Sequence, residues 1–204
     1  MPEPTPTASA LASVVDELPG GGDHRPGQAA MADAVAAAIT EDRHLIAKAG
    51  TGTGKTLAYL VPAVLSGKRT IVATATKALQ DQLAGKDLPF LHRHLGVPFT
   101  STVLKGRSNY LCVQRLHELT EGDTQLELEG TTDGRIGTGE LDRLSEWAAT
   151  TPTGDRADLD DEPGDMVWSA VSMSATECPG ATRCPRGDEC FAEDARHAAA
   201  AADV

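Results

Sequence analysis

One segment constrains the fold of this 204-residue chain more than any other, a glycine-rich run, AGTGTGKT, at residues 49–56. A short apolar run at residues 45–47 precedes it and predicts a strand, and apolar residues at helical spacing over residues 57–64 predict a helix after it. Strand, glycine-rich loop and helix are the context in which backbone N–H groups point inward at a phosphate. In such a loop the Lys55 ammonium reaches the β- and γ-phosphates, and the Thr56 hydroxyl ligates Mg²⁺.

The predicted phosphate-binding residues form one continuous loop that opens the helix. They are Ala49, Gly50, Thr51, Gly52, Thr53, Gly54, Lys55 and Thr56. The loop departs from the general pattern G-x-x-x-x-G-K-[ST] at its first position, where Ala49 stands instead of glycine. A chance Gly/Thr-rich turn is the alternative, and the flanking strand and helix patterns weigh against it.

Upstream of the loop, Arg25 and Gln28 open the predicted helix 26–39. A glutamine amide offers both a donor and an acceptor, so Gln28 could read the N6 and N7 edge of adenine. An R-x-x-Q pair by itself usually marks only a helix start. Its position, just over twenty residues before the phosphate loop, favours adenine recognition.

The order of elements predicts the α/β class. Further strands are predicted at residues 70–74 and 102–104, with a helix through Leu79 and Leu83 between them. Strands that alternate with helices imply a parallel sheet with right-handed crossovers. We also expect a short N-terminal helix through Leu11, Val14 and Val15, and a helix over the alanine run 198–202.

Polar side chains collect where the strand at residues 70–74 ends. Because ligands bind at the carboxyl ends of parallel strands, these residues could hold a nucleic-acid backbone without reading its sequence. The alternative is an ordinary helix cap at Thr74 or Thr76 with a solvated helix face behind it. The candidate DNA-contacting residues are Thr74, Thr76, Lys77 and Gln80.

Charge is distributed unevenly. The net charge of the whole chain is −12, which by itself argues against a nucleic-acid partner. However, twelve Lys and Arg against five acids give residues 24–117 a charge of +7, whereas fifteen acids against three arginines give residues 118–165 a charge of −12. The block that holds the loop is therefore basic. The acidic block contains stretches, 130–139 and 150–165, that we expect to be ordinary solvated loops.

Four cysteines stand at the spacing C-x65-C-x5-C-x5-C. We expect no signal peptide, a cytoplasmic location and no membrane span, and in that compartment cysteines indicate a metal centre rather than disulfides. Structural zinc commonly uses C-x2–4-C pairs, so spacings of five and one remote ligand favour a [4Fe–4S] cluster over zinc. Zinc, two disulfides or unrelated thiols remain as alternatives. The candidate ligands are Cys112, Cys178, Cys184 and Cys190.

In their joint order these motifs resemble the iron–sulfur DNA helicases of superfamily two, the DinG and XPD group, and most of all the bacterial DinG-like proteins. Arg25 and Gln28 look like the adenine-recognition motif, residues 49–56 like motif I, and residues 74–82 like motif Ia. The segment 105–112, KGRSNYLC, is similar to the one that supplies the first cluster ligand. The resemblance covers roughly residues 24–200.

The resemblance implies a partial RecA-like P-loop NTPase domain, with a parallel sheet and flanking helices, that carries an inserted cysteine-ligated iron–sulfur domain. The expected boundaries are 1–23 for an N-terminal extension, 24–111 for the ATP-binding part, 112–190 for the cluster domain and 191–204 for the return. The implied activity is ATP-driven 5′→3′ translocation on single-stranded DNA, with unwinding of duplexes at their junctions with single strands, in DNA repair. We expect the enzyme to be a monomer. The implied cofactors are ATP, Mg²⁺ and the cluster, with Lys55 and Thr56 as catalytic residues.

No apolar strand ending D-E-A-H occurs in the chain. The carboxylates that such a strand supplies hold Mg²⁺ and activate water, and hydrolysis needs them. We therefore expect an N-terminal portion of a helicase that is inactive by itself. The alternatives are a nucleotide- and metal-binding module, and another P-loop NTPase with a zinc-stabilised insertion. Trp147 and Trp168 could stack on bases, but they are expected to pack in the core.

Overall fold

The computed structural model describes residues 3–121 and 138–204. It divides into two compact units, Met1–Val103 together with Ala201–Val204, and Leu104–Ala200. Each unit is treated separately below. Most of the predicted acidic loop 130–139 lies outside the described residues.

The first unit is built from helices joined by extended loops. Thr5 caps the first helix, since its side chain accepts a hydrogen bond from the backbone N–H of Ala8, and proline begins both of the first two helices. A short π-helical stretch, Leu83–Asp87, separates the last two. The helices are α1 (Pro6–Asp16), α2 (Pro26–Thr40), α3 (Lys55–Leu65), α4 (Lys77–Gln82) and α5 (Leu88–His94).

The core of this unit lies where α1, α2 and α3 pack together. The predicted N-terminal helix is confirmed, and it buries the three residues expected of it, Leu11, Val14 and Val15. Ala32 of α2 and Ala58 of α3 are completely buried, and such small side chains let helices approach closely. Leu60 and Val61 of α3 fill the same cluster. The alanine-rich composition therefore serves close helix packing.

The predicted strands at residues 45–47, 70–74 and 102–104 are not strands in the described part of the chain, where they run as extended loops. Ile46 is 98% exposed and Ile71 is 90% exposed. β-Branched residues favour an extended backbone, but a strand also needs a neighbour whose N–H and C=O groups complete the ladder. Without that ladder, the prediction of a parallel sheet is wrong for the described residues.

The segment Ala201–Val204 makes the few ladder-like bonds in this region. The N–H of Thr70 donates to the carbonyl of Asp203 at 2.8 Å, and the N–H of Thr102 donates to the carbonyl of Val204 at 3.0 Å. The Asp203 carboxylate accepts from the Thr100 N–H at 2.7 Å and from its hydroxyl at 2.8 Å. These bonds hold the pKa of Asp203 below its usual range, and the bond from the Thr100 backbone N–H has the larger effect.

The second unit has short helices separated by irregular segments. Its helices are α6 (Val113–Glu121), α7 (Thr138–Ala148), α8 (Asp165–Val171) and α9 (Phe191–Ala201). The expected helix over the alanine run is confirmed by α9. Four single 3₁₀ turns accompany them, at Arg107–Asn109, Arg156–Asp158, Ala181–Arg183 and Gly187–Glu189.

Both tryptophans pack in the core of this unit, as predicted. Trp168 is 4% exposed and its indole N–H donates to the carbonyl of Ser108 at 2.7 Å. Trp147 packs against the same cluster, whose buried members are Leu111, Leu116, Leu141, Leu144, Leu159, Trp168 and Val171. A buried indole needs a partner for its N–H, so the Ser108 bond fixes the Trp168 ring in place.

The acidic stretch 150–165 is irregular, as predicted, but part of it is not simply solvated. The carbonyl of Gly154 accepts from the Leu111 N–H at 2.8 Å, and Asp155 forms an isolated antiparallel bridge with Tyr110. The Asp155 carboxylate pairs with the Lys105 ammonium at 2.5 Å, and both side chains are largely buried. The acidic loop is thus anchored to the segment that leads into Cys112.

Over residues 3–121 and 138–204, no helix is both long and apolar enough to cross a bilayer.

Asp203→Asn should lower the stability of the chain at neutral pH. Because the folded pKa of Asp203 is depressed, its contribution is fully present above the unfolded value of about 3.9 and is lost as the pH falls through the folded value. The free energies of urea unfolding of wild type and variant should therefore differ at pH 7 and draw together at acid pH, as the pH falls through the folded pKa of Asp203. Glu3→Gln, at an exposed carboxylate of the same unit, is the control and should not change the pH dependence. An equal gap between Asp203→Asn and wild type at both pH values would contradict the assignment.

Candidate functional site

The glycine-rich loop curls immediately before α3. Gly52 and Gly54 have φ angles of 73° and 76°, in the left-handed region that side chains with a Cβ rarely adopt. Gly54 is the residue that precedes α3, and Lys55 is the first residue of that helix. The first N–H groups of α3 have no partner within the helix, so this end is suited to an anion.

The lysine of the loop folds back over it. The Lys55 ammonium donates to the carbonyls of Ala49 at 3.1 Å and Gly50 at 2.5 Å, and the Thr53 hydroxyl donates to the Gly50 carbonyl at 3.0 Å. The positive charge therefore lies directly at the loop. A phosphate seated there would meet the ammonium without a change in the course of the backbone.

The structure brings the predicted adenine-recognition residues to this loop. The Gln28 side-chain N–H donates to the carbonyl of Gly54 at 2.9 Å, and Gln28 is 7% exposed. The Arg25 guanidinium donates to the carbonyl of Gly52. The amide N–H of Gln28 is therefore already bonded to the loop. To bind adenine through both its donor and its acceptor, Gln28 would have to give up the bond to Gly54.

Tyr59 is a residue of this site that the sequence analysis missed. It lies one turn after Thr56 on α3, and the i, i+3 spacing was the available signal. Burial raises the pKa of the Tyr59 phenol above its usual value, and the nearby Thr56 side chain opposes that rise. Tyr59 is thus a neighbour of the hydroxyl predicted to ligate Mg²⁺.

The candidate DNA-contacting residues lie at the start of α4. Thr76 caps this helix, since its hydroxyl accepts from the Leu79 N–H at 3.4 Å, and the Thr74 hydroxyl lies 3.5 Å from the Thr76 carbonyl. The alternative of a helix cap is therefore confirmed for Thr76. Thr76 and Lys77 are exposed, whereas Thr74 and Gln80 are half-buried. Contact of these residues with DNA stays a prediction.

All four candidate cysteine ligands lie in the second unit as half-buried free thiols. Cys112 immediately precedes α6, and its N–H donates to the Val171 carbonyl at 2.8 Å. Burial raises the pKa of the Cys112 thiol, and hydrogen bonds from the backbone of Arg115 and Gln114 oppose this. Cys184 and Cys190 raise the pKa of the Cys112 thiol further, because a thiolate at either position would oppose a second negative charge at Cys112.

The loop from Cys178 to Cys190 folds as two 3₁₀ turns that pack on each other. A Cβ added at Gly187 would lie 2.0 Å from the Ala181 carbonyl oxygen, so only glycine allows this approach. Cys184 lies between the two turns, and its N–H donates to the carbonyl of Gly180 at 3.1 Å. The sequence analysis named the cysteines of this loop but missed Gly187.

Arg107 and Glu193 also belong to the cysteine-containing region. The Arg107 guanidinium donates to the Cys178 sulfur at 3.6 Å and pairs with the Glu193 carboxylate, and both side chains are largely buried. The hydrogen bond from Arg107 holds the pKa of Glu193 below its usual range. The hydrogen bond to Glu193 is the main cause of a raised pKa at Arg107, and Cys178 and Cys190 add to the rise. A fixed positive charge thus stands beside the Cys178 thiol.

Among the described residues, no three or more His, Cys, Asp or Glu side chains are arranged to hold one metal ion. Around one zinc ion, Zn–S bonds of about 2.3 Å bring the sulfurs close together. In a [4Fe–4S] cluster each thiolate binds a different iron, which sets the sulfurs farther apart. The cluster does not require a single-ion arrangement, and it stays a prediction.

The sequence that forms this geometry is similar to those of known helicases. The sequence profile of the DEAD/DEAH box helicase family matches residues 25–131. The chain is 46% identical over 198 residues to the ATP-dependent helicase DinG of Mycobacterium tuberculosis (strain H37Rv), covering 90% of this chain and 30% of that protein. It is 38% identical over 188 residues to the ATP-dependent DNA helicase YoaA of Escherichia coli K12, covering 92% of the chain and 28% of that protein.

A more distant relative is named for a different activity. It is the 3'-5' exonuclease DinG of Bacillus subtilis, 33% identical over 164 residues, with 78% of this chain and 17% of that protein covered. The chain spans less than a third of the length of each of these relatives.

Gly54→Ala should damage the phosphate loop. A left-handed backbone costs a residue with a Cβ about 1–2 kcal/mol, and the new Cβ would lie 2.2 Å from the Gln28 amide nitrogen. We expect a lower free energy of unfolding and weaker binding of Mg·ATP by calorimetry. Gly27→Ala is the matched control, because a Cβ there meets nothing within 4 Å. Unchanged stability and ATP affinity in Gly54→Ala would show that the loop does not depend on this glycine.

Proposed function

We propose a function on one premise, which is that the chain belongs to the DEAD/DEAH box helicase family. The proposed activity is ATP-dependent unwinding of DNA with 5′→3′ translocation on a single strand, carried out by the protein of which this chain supplies the nucleotide-binding part. The proposed domain is RecA-like. One observation carries this proposal, namely the loop at residues 49–56, which opens α3 and is held by Arg25 and Gln28.

Nucleotide binding would use groups of the loop that form hydrogen bonds with one another in this structure. The N–H groups at the start of α3 and the Lys55 ammonium would bind the β- and γ-phosphates, with Lys55 leaving the carbonyls of Ala49 and Gly50. The Thr56 hydroxyl would ligate Mg²⁺. Binding therefore exchanges internal hydrogen bonds for charge-assisted ones, which are stronger.

Coupling to DNA is proposed for the start of α4, through Thr74, Thr76, Lys77 and Gln80. The residues from 24 to 117 carry a charge of +7, which attracts a phosphate backbone. Exposed Thr76 and Lys77 present a hydroxyl and an ammonium, and such contacts hold a strand in register without reading its bases. This arrangement suits a translocase, which must move over any sequence.

The four cysteines are proposed to hold a [4Fe–4S] cluster. Four free thiols in one unit match the donor set of this group. The Arg107 guanidinium offsets the negative charge that thiolates and cluster would bring together, and Glu193 holds Arg107 in position. When bound, the cluster would supply folding energy rather than reaction chemistry, since ligation replaces the burial that the Pro/Gly-rich loop lacks.

Lys55→Ala tests the nucleotide-binding step. Loss of the ammonium removes the one side-chain charge of the loop, so we expect Mg·ATP affinity to fall by at least tenfold in calorimetry. DNA-stimulated ATP hydrolysis and unwinding of a 5′-tailed duplex should be lost in the complete protein. Lys77→Ala, at an exposed lysine outside the loop, should keep ATP affinity. If Lys55→Ala bound and hydrolysed ATP like wild type, the proposed function would fall.

Metal analysis of anaerobically purified protein tests the cluster. We expect iron with acid-labile sulfide and a visible charge-transfer band, all reduced in Cys184→Ser. Arg107→Leu should retain less iron, because the guanidinium no longer offsets the thiolate charge. Stoichiometric zinc without iron would contradict the cluster and favour a zinc-stabilised insertion.

A further inference from the structure

The stretch Leu83–Asp87 between α4 and α5 is π-helical, a form that occurs mostly as single turns within α-helices and often at functional sites. The N–H of Leu83 still bonds to the carbonyls of Leu79 and Gln80, as it would at the end of an α-helix. The N–H of Leu88 bonds instead to the Leu83 carbonyl, five residues back. The turn between the two helices therefore holds one residue more than an α-helical turn.

Two residues of the sequence account for this π-helical turn. Pro89 has no N–H, and in a continuous α-helix its ring would clash with the carbonyl of the residue four before it, which is Gly85. Gly85 itself has a low preference for the α-helix. The α-helical register is therefore unfavourable at this point of the chain, and the π-helical turn lies immediately before the helix that contains the proline.

The extra residue keeps the leucines on both sides of the turn in the core. Leu83 and Leu88 are five residues apart, a spacing that in an α-helix would place their side chains about 140° apart around the axis. Both are nevertheless buried in the same apolar cluster, with Leu91 one turn further on. Helix α5 is thus fixed by the core, whereas α4 contains no buried residue and takes its orientation from the turn.

A side-chain hydrogen bond spans the same turn. The amide N–H of Gln82 donates to the Asp87 carboxylate at 2.9 Å. These two residues are also five apart, so they meet in the π-helical register, whereas in an α-helix they would point to different sides. The bond therefore forms in one register only, and it favours that register over the α-helical one.

The register decides which face of α4 carries the candidate DNA-contacting residues. If the turn became α-helical, α5 would stay in the core, and α4 would rotate by about 100°, which is the rotation per residue of an α-helix. Thr76 caps α4 and Lys77 begins it, so both side chains would then face another direction. A DNA backbone held by these two residues in the π-helical register would lose them in the α-helical one.

We propose that Gln82 and Asp87 are positioning residues for the DNA contact. Their hydrogen bond holds the π-helical register, and the register fixes the face on which α4 presents Thr76 and Lys77. The inference rests on the proposed function, because it takes the start of α4 to bind a DNA backbone. The negative charge of Asp87 by itself repels phosphate, so any gain in DNA affinity from this residue comes through its bond with Gln82.

Comparison of Asp87→Ala with Asp87→Asn isolates the bond. Both variants lose the negative charge, but asparagine keeps a side-chain oxygen that accepts from Gln82. The probe is fluorescein-labelled oligo(dT), and its binding to the complete protein is measured by anisotropy. We expect Asp87→Ala to bind it about fivefold more weakly than Asp87→Asn does, which is the shift that one hydrogen bond makes in such an equilibrium.

Two further readouts separate positioning from general damage. The oligo(dT) concentration that gives half-maximal stimulation of ATP hydrolysis should rise by the same factor in Asp87→Ala, with the maximal rate and the Mg·ATP affinity unchanged. Without DNA, hydrogen exchange of the Leu88 amide should be faster in Asp87→Ala than in Asp87→Asn, because this amide makes the π-helical bond.

Gln82→Ala removes the donor of the same bond and should weaken oligo(dT) binding as Asp87→Ala does. The variant with both substitutions should bind no more weakly than either single variant, because the two side chains act through one bond. Gln82→Ala also repeats the test from the other side of the bond if Asp87→Ala does not fold.

Equal oligo(dT) affinity in Asp87→Ala and Asp87→Asn would overturn the inference, and so would losses that add in the double variant. A parallel loss of Mg·ATP affinity and thermal stability in Asp87→Ala would overturn it too, because it would reveal general damage to the first unit. Failure of the proposed function gives a different pattern. Wild type then does not bind oligo(dT), and the positioning role falls with it, while exchange of the Leu88 amide still distinguishes the two Asp87 variants.

Discussion

The first unit depends on the backbone turn at Gly54, where the glycine-rich loop ends and α3 begins. Gly54 takes a left-handed backbone there, and its carbonyl accepts hydrogen bonds from the Ala58 N–H at 3.2 Å and from the Gln28 amide at 2.9 Å. One carbonyl thus serves the first turn of α3 and the link to α2. Most of α3 after its first turn is buried among its neighbours. The packed helix therefore fixes the position at which the glycine-rich loop ends, and glycine lets the backbone make this turn without a Cβ penalty.

The second unit is organised differently, because its apolar cluster is small and polar pairs hold the segments around the cysteines. Lys105 pairs with Asp155, and Arg107 pairs with Glu193. Pairs of this kind stabilise little when measured against apolar packing, but removing one partner leaves a buried charge without compensation. They therefore specify where the segment before Cys112 lies. A cluster bound by the four thiols would add the energy that the thin core does not supply.

The two sites differ in how far the sequence anticipated them. Local signals were sufficient for the helices, since α1, α2 and α3 follow from apolar spacing, proline starts and the glycine before Lys55. They were insufficient for the strands, because an extended apolar run such as the one around Ile71 becomes a strand only when a neighbour completes the ladder. Gly187 and Glu193 were missed for a related reason, since their roles arise from contacts with residues distant in the sequence or across a turn.

The sequence by itself determined which reactive groups this protein carries, namely a glycine-rich loop with a lysine and a threonine, a basic block that contains this loop, and four thiols at unusual spacing. These follow from residue type and local order, which need no knowledge of distant neighbours. Only the tertiary structure decided that Gln28 and Arg25 contact the loop and that Arg107 stands beside Cys178. The physical reason is that such contacts join segments far apart in the chain, and only the packing and ion pairs of the folded chain bring these segments together.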